Sequence, residues 1–147
     1  MIAIASDHGG YDLKQVVIHH LEEQGYEVKD FGTHDKSSCD YPDYAGPAAQ
    51  CVADGEAEKG IVICTTGIGV SMVANKIPGV RCALCHDVTT AKLTRQHNDA
   101  NVLSIGAGVI GENVALDVVD TFLKTEFSQG ERHARRVAKI AEYDKKR

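Results

Sequence analysis

Gly60-Ile61-Val62-Ile63-Cys64-Thr65-Thr66-Gly67-Ile68-Gly69-Val70-Ser71 is the stretch whose reading decides the fold. Five uncharged residues, three of them β-branched, read as a strand buried on both faces. Two threonines and a glycine then turn the chain, and residues 68–76 have helical spacing. Working outward, residues 1–5, 26–31, 80–85 and 102–105 give four more strand candidates of the same apolar kind. Helical patterns fall between them, at 13–21, 48–57, 88–96, 111–125 and 132–145. Residues 32–47 are polar, carry two prolines and two tyrosines, and read as a loop. Strands separated by helices make βαβ units, and strands apolar throughout need cover on both sides. The expected fold is α/β: a Rossmann-like three-layer α/β/α sandwich with a parallel sheet of about five strands. The length, 147 residues, suits a single domain over 1–147.

Composition narrows the function classes. A chain with 43% hydrophobic and 25% charged residues is ordinary for a globular protein and long enough to bury a core. No apolar run approaches a membrane span, and the start of the chain lacks a basic segment leading into an apolar one. A cytoplasmic protein with no membrane partner is therefore expected. Five cysteines, an odd number, suit free thiols in a reducing compartment. Charge is unevenly spread. Residues 131–147 hold seven basic and three acidic residues, a net of +4, on an expected basic C-terminal helix. The preceding 130 residues hold nine basic and 18 acidic, a net of −9. An acidic body is a poor nucleic-acid partner, whereas a compact basic tail suits a small anion.

In open parallel sheets, ligands sit at the carboxyl ends of the strands, so those residues matter most. The first strand runs into Ser6-Asp7-His8-Gly9-Gly10, where an acid and an imidazole reach the crevice beside two glycines. Asp7 also fits the role of a helix cap. Cys64 lies at the lip of a glycine-bearing turn whose backbone amides form an anion nest. A thiol at such a helix start can take a proton and return it near neutral pH. A cysteine packed as a small hydrophobe fits the spacing equally well. Arg132 and Arg136 are four residues apart, on one helical face, and two guanidiniums one turn apart can grip a phosphate. A solvated basic face gives the same pattern. His97-Asn98-Asp99 precedes a strand, so it belongs at the amino edge, opposite Cys64. If His97 and Cys64 serve one substrate, His97 must come from a second subunit.

Two motifs invite other readings. Cys82-Ala83-Leu84-Cys85-His86 matches c-type haem attachment and contains a Cys-x-x-Cys pair, yet it lies inside a strand pattern. Gly106-Ala107-Gly108-Val109-Ile110-Gly111 matches the dinucleotide fingerprint. The acid-terminated strand that should follow is missing, so these glycines are expected to serve close helix–strand packing.

Five segments in register carry a resemblance. They are Ala5-Ser6-Asp7-His8-Gly9-Gly10, Asp40-Tyr41-Pro42-Asp43-Tyr44, Cys64-Thr65-Thr66-Gly67-Ile68-Gly69-Val70-Ser71, Arg95-Gln96-His97-Asn98-Asp99-Ala100-Asn101 and Arg132-His133-Ala134-Arg135-Arg136. Together they resemble the sugar-phosphate isomerase family of ribose-5-phosphate isomerase B and the galactose-6-phosphate isomerase subunits, over nearly the whole chain. The resemblance implies a homodimer or dimer of dimers with shared active sites, no metal and no organic cofactor. It implies aldose–ketose interconversion of ribose 5-phosphate and ribulose 5-phosphate through an enediolate. Cys64 would be the base, His97 would assist ring opening, and Thr66 would act beside them. Asp7, His8 and Tyr41 would meet the substrate. Asn98 and the turn Gly67, Ile68, Gly69, Val70 and Ser71 would hold the developing oxyanion. Arg132, Arg136 and His8 would hold the phosphate. Three positions depart from the family pattern. Thr65 stands where glycine or serine is common, Gly10 replaces a common alanine, and Gly108 stands where many members carry arginine. The alternatives are the same chemistry on a six-carbon sugar phosphate, such as allose or galactose 6-phosphate, or a non-catalytic nucleotide- or phosphate-binding module.

Overall fold

A computed structural model describes residues 1–146 of the chain. Five strands form one all-parallel sheet: β1 Ile2–Ser6, β2 Val28–Asp30, β3 Lys59–Cys64, β4 Cys82–Leu84 and β5 Val102–Gly106. Their order across the sheet is β2-β1-β3-β5-β4. Six helices accompany them: α1 Tyr11–Glu23, α2 Pro42–Ala53, α3 Ile68–Ala74, α4 Val88–Asn98, α5 Glu112–Lys124 and α6 Glu131–Glu142. The α/β/α sandwich expected from the sequence is therefore present.

Alternation along the central strands builds two cores. Ile2, Ile4, Ile61, Ile63, Leu103 and Ile105 point to one face, where they meet Val17 and Leu21 of α1 and Ala115, Val118, Val119 and Phe122 of α5. Ala3, Ala5, Val62, Cys64 and Val102 point to the other, against Ala45, Ala48, Ala49 and Val52 of α2 and Val70 and Ala74 of α3. Small residues on both sides of that second interface let α2 come close to the sheet. The chain leaves β1 for α1 on the first face and leaves β3 for α3 on the second. The sheet therefore opens between the carboxyl ends of β1 and β3, and the crevice lies there.

Several boundaries differ from the sequence reading. The segment read as a loop over 32–47 contains the first six residues of α2, and that helix ends at Ala53 rather than at 57. Pro42 is its first residue, where the missing N–H costs no helical bond and the fixed φ suits the helix. Pro47 lies inside it, so one helical bond is absent there. The second and fourth strands are three residues each, shorter than 26–31 and 80–85. The basic C-terminal helix ends at Glu142 and tightens to a 3₁₀ turn over Tyr143–Lys146, while Arg147 lies outside the described residues. Among the described residues, no helix is long and apolar enough to cross a membrane.

One charge is wholly inside. Lys14 occupies the buried stripe of α1 with Val17 and Leu21, and it has no solvent exposure. Its Nζ lies 2.8 Å from both carboxylate oxygens of Asp30, at the end of β2. Asp30 Oδ1 also accepts from the Gly32 amide at 2.9 Å. Gly32 in turn accepts from the Ser6 amide, and the Thr33 amide donates to Ser6 O. The pair thus ties the segment after β2 to the end of β1, next to Asp7. Asp30→Ala would leave an ammonium buried without its counter-charge. Urea denaturation should show a loss of about 3–5 kcal/mol, the usual result of breaking a buried pair from one side.

Candidate active site

β3 delivers Cys64 to the sheet edge, and the next three residues wrap around its sulfur. Gly67 has a left-handed backbone, φ 77°, that turns its amide back on the strand. That amide donates to Cys64 Sγ at 3.1 Å. The Thr66 hydroxyl lies 3.9 Å from the same sulfur and accepts from the Ile68 amide at 3.2 Å. Ser104, inside β5, donates its hydroxyl to Gly67 O and holds the turn from below. Ser71 lies one turn into α3, its hydroxyl donating to Ile68 O at 2.6 Å. Cys64 is only 6% exposed and packs in the second core, as the small-hydrophobe reading would have it. Its remaining exposure opens into a cavity of about 440 Å³ lined by Asp7, Tyr41, Thr65, Thr66, Ile68 and Gly69, with Met72 at the rim. The thiol is therefore packed on one side and borders this cavity on the other.

Asp7 also does two things. Its Oδ1 accepts from the Gly10 amide at 3.1 Å, capping the short 3₁₀ turn over His8–Gly10. The same side chain lines the Cys64 cavity. Gly10 is not a neutral replacement for alanine here, because a methyl group would lie 2.7 Å from the Ile63 carbonyl oxygen. His8 is exposed, and its Nδ1 accepts from the Cys39 amide at 3.3 Å. Tyr41 sits immediately before α2, and its ring packs closely against Gly69. A Cβ on Gly69 would come within 2.6 Å of the Tyr41 ring. That contact, between residues 28 positions apart, explains a glycine inside α3 and is invisible to local spacing.

The remaining candidates stand elsewhere. His97 and Asn98 end α4 at the amino edge of the sheet, both exposed. Arg95 and Asp99 form a 2.8 Å ion pair, and Arg95 also donates to Ala100 O and Thr125 O. These bonds fix the helix end from which His97 projects. The His97 and His133 rings meet with centroids 4.4 Å apart and planes tilted by 33°, joining α4 to α6. Ser128 Oγ lies 2.9 Å from His133 Nδ1. Partial burial, with the His97 ring and the Arg132 and Arg136 guanidiniums nearby, holds the His133 imidazole below its ordinary value of 6.5. Arg132 and Arg136 are exposed on α6. Within one chain, then, the fold assembles two groups at opposite edges of the sheet. Asp7, Tyr41, Cys64, Thr66 and the 67–71 turn form one, with His8 at its border. His97, Asn98, Arg132 and Arg136 form the other, and His133, which the sequence reading passed over, joins it.

The two distracting motifs resolve structurally. Cys82 packs with the second core and Cys85 with the first, so their thiols lie on opposite faces of the sheet and cannot act as a pair. Burial pushes the Cys82 thiol up to about 12 and raises that of Cys85. His86 Nε2 accepts from the Gly106 amide at 3.1 Å and closes β4 onto β5. The glycines at 106 and 108 do serve close packing, but the neighbour is a turn, not a helix. A Cβ at Gly106 would lie 2.6 Å from the Thr66 carbonyl, and one at Gly108 would lie 2.8 Å from Thr65 Cγ2. An NMR titration should find His133 protonating below 6.5. Arg136→Gln should move that midpoint upward by removing a neighbouring positive charge.

Known proteins share this architecture throughout. A family model described as ribose/galactose isomerase matches residues 2–140. Ribose-5-phosphate isomerase B of Escherichia coli strain K12 is 44% identical over 146 residues, covering 99% of this chain and 97% of that protein. The structure of Clostridium thermocellum ribose-5-phosphate isomerase B superposes with a TM-score of 0.96 at 54% identity, covering 99% and 97% of the two chains. Ribose-5-phosphate isomerase B of Mycoplasma genitalium, solved with bound ribulose-5-phosphate, gives 0.94 at 42% identity, again over 99% and 97%. Matched from end to end in sequence and in backbone, this chain belongs to the ribose/galactose isomerase family, the family of ribose-5-phosphate isomerase B.

Proposed function

We propose that this protein interconverts ribose 5-phosphate and ribulose 5-phosphate, with Cys64 as the base. The observation that carries the reading is the sulfur itself, facing a cavity sized for a small molecule with hydrogen-bond donors around it. As a thiolate, Cys64 takes the proton from C2 of the open-chain aldose. The C–H electron pair forms the C1–C2 double bond, and negative charge moves onto O1. Thr66 and the amides of Gly69 and Val70, at the start of α3, face that charge, where each fixed donor is worth about a hundredfold or more in rate. Cys64 then returns the proton to C1, and the O2 hydroxyl proton passes to O1, leaving the ketose. Asp7, His8 and Tyr41 hold the sugar's hydroxyls. Binding energy from the distant phosphate aligns the carbon chain over the sulfur.

His97, Asn98, Arg132 and Arg136 complete this site only from a second copy. His97 then assists ring opening, Asn98 adds a donor near O1, and the two arginines grip the phosphate. Helix α6 supports such a pairing, because it buries none of its residues in its own chain. Ile140 is 47% and Tyr143 64% exposed along it. Ile68 and Met72 are exposed beside the cavity on α3 and offer apolar surface for a partner to cover. Each protomer would thus contribute a thiol to one site and an imidazole to the other.

Cys64→Ala should reduce turnover of ribose 5-phosphate by about a hundredfold or more while leaving its binding largely intact, measured by a coupled assay and by calorimetry. Near-normal turnover would remove Cys64 from the role. His97→Asn should likewise be inactive. When the two inactive variants are unfolded together and refolded as a mixture, activity should return to about a quarter of the wild-type level. Half the dimers are then mixed, and each mixed dimer has one intact site. A mixture that stays inactive would place Cys64 and His97 in the same subunit's site or in none.

A further inference from the structure

The strand-end crevice is divided in two. On one side is the cavity of about 440 Å³ that contains Cys64. On the other, between the starts of α1 and α5, is a cavity of about 350 Å³ bordered by Gly9, Leu13, Ala107 and Ile110. Thr65 stands between them. It is exposed, so its side chain projects into the crevice rather than into either core. A methyl group on Gly9 would overlap the Thr65 hydroxyl, and a Cβ on Gly108 would lie 2.8 Å from Thr65 Cγ2. The backbone is fixed as well, since the Gly108 amide donates to Thr65 O at 2.8 Å. Thr65 thus reaches across the gap and touches a bare backbone on each side. The three positions are sterically interlocked, and the threonine fills space that the two glycines leave.

We propose that Thr65 is a specificity-determining residue: wedged between Gly9 and Gly108, it closes the Cys64 cavity on the side of the α1 and α5 starts and sets the length of sugar phosphate accepted. The proposal rests on the isomerase reading above and adds a discrimination between five- and six-carbon chains. Removing the side chain joins the two cavities, and the room gained adjoins the Cys64 cavity, where a chain held at C2 by the sulfur and at its far end by the phosphate can take up one more carbon. One carbon unit more or less in a fitted pocket typically changes kcat/KM by roughly tenfold or more.

The test compares two substrates on one preparation, so that any loss of folded protein cancels. The wild-type chain, Thr65→Gly and Thr65→Ser are each assayed with ribose 5-phosphate and allose 6-phosphate. Thr65→Gly should raise the ratio of kcat/KM for the six-carbon over the five-carbon substrate by about tenfold. Thr65→Ser keeps the hydroxyl against Gly9 and removes the methyl facing Gly108, so it should move the ratio the same way by less. It also provides the readout if the glycine variant fails to fold. A wild-type enzyme that turns over sugar phosphate, with a ratio unmoved in both variants, overturns this proposal alone. A wild-type protein inert toward both sugars overturns the isomerase reading and this proposal with it.

Discussion

Leaving β3, the chain reverses into α3 within three residues, and it does so through a residue in the left-handed conformation. Gly67 supplies that conformation, and it does so in a space where a side chain has no room. A Cβ there would meet the Leu84 side chain at 2.6 Å and the Ile105 backbone at 2.8 Å. Both the positive φ and the contact exclude other residues. What the reversal achieves is chemical: it brings an amide hydrogen to the Cys64 sulfur and lines up the Thr66 hydroxyl behind it. The Ser104 hydroxyl and the Gly106 backbone, both from β5, support the same turn from below. The geometry of the thiol is therefore a property of the sheet's two central strands rather than of a loose loop.

The sheet also explains why the candidate residues fall into two groups. Parallel strands send every exit to one edge and every entry to the other. Cys64 and Asp7 follow strands and share the exit edge, whereas His97 and Asn98 precede a strand and stand at the entry edge. No rearrangement inside one chain brings these edges together without breaking the sheet. The proposed second copy would supply the missing group without disturbing the sheet, and α6, with none of its residues buried, leaves a face open for it.

Much of this was legible before any coordinates. The central strands are apolar throughout, so their burial on both faces and their parallel pairing followed from the sequence. The position of His97 relative to Cys64 followed from the same reasoning. Short-range cues failed where tertiary contacts overrode them. Pro42 and Pro47 made the start of α2 look like loop, although a proline at the first helical position is favourable and the helix is held by Ala45, Ala48 and Ala49 against the sheet. Lys14 lies in a stripe with Val17 and Leu21, and nothing local marks it as buried, because its partner Asp30 is 16 residues away. The contacts of Gly69 with Tyr41 and of Thr65 with Gly9 and Gly108 are likewise long-range, so spacing along the chain could not reveal them.

The Lys14–Asp30 pair has a consequence for how β2 is placed at all. That strand is three residues long, sits at the sheet's edge and joins only β1. So few backbone bonds tolerate a slip by one residue at little loss. Yet such a slip would turn Asp30 to the opposite face of the sheet and strand the ammonium of Lys14 in an apolar interior. The pair thus acts as an alignment key, making the misaligned arrangement far costlier than the lost hydrogen bonds alone would.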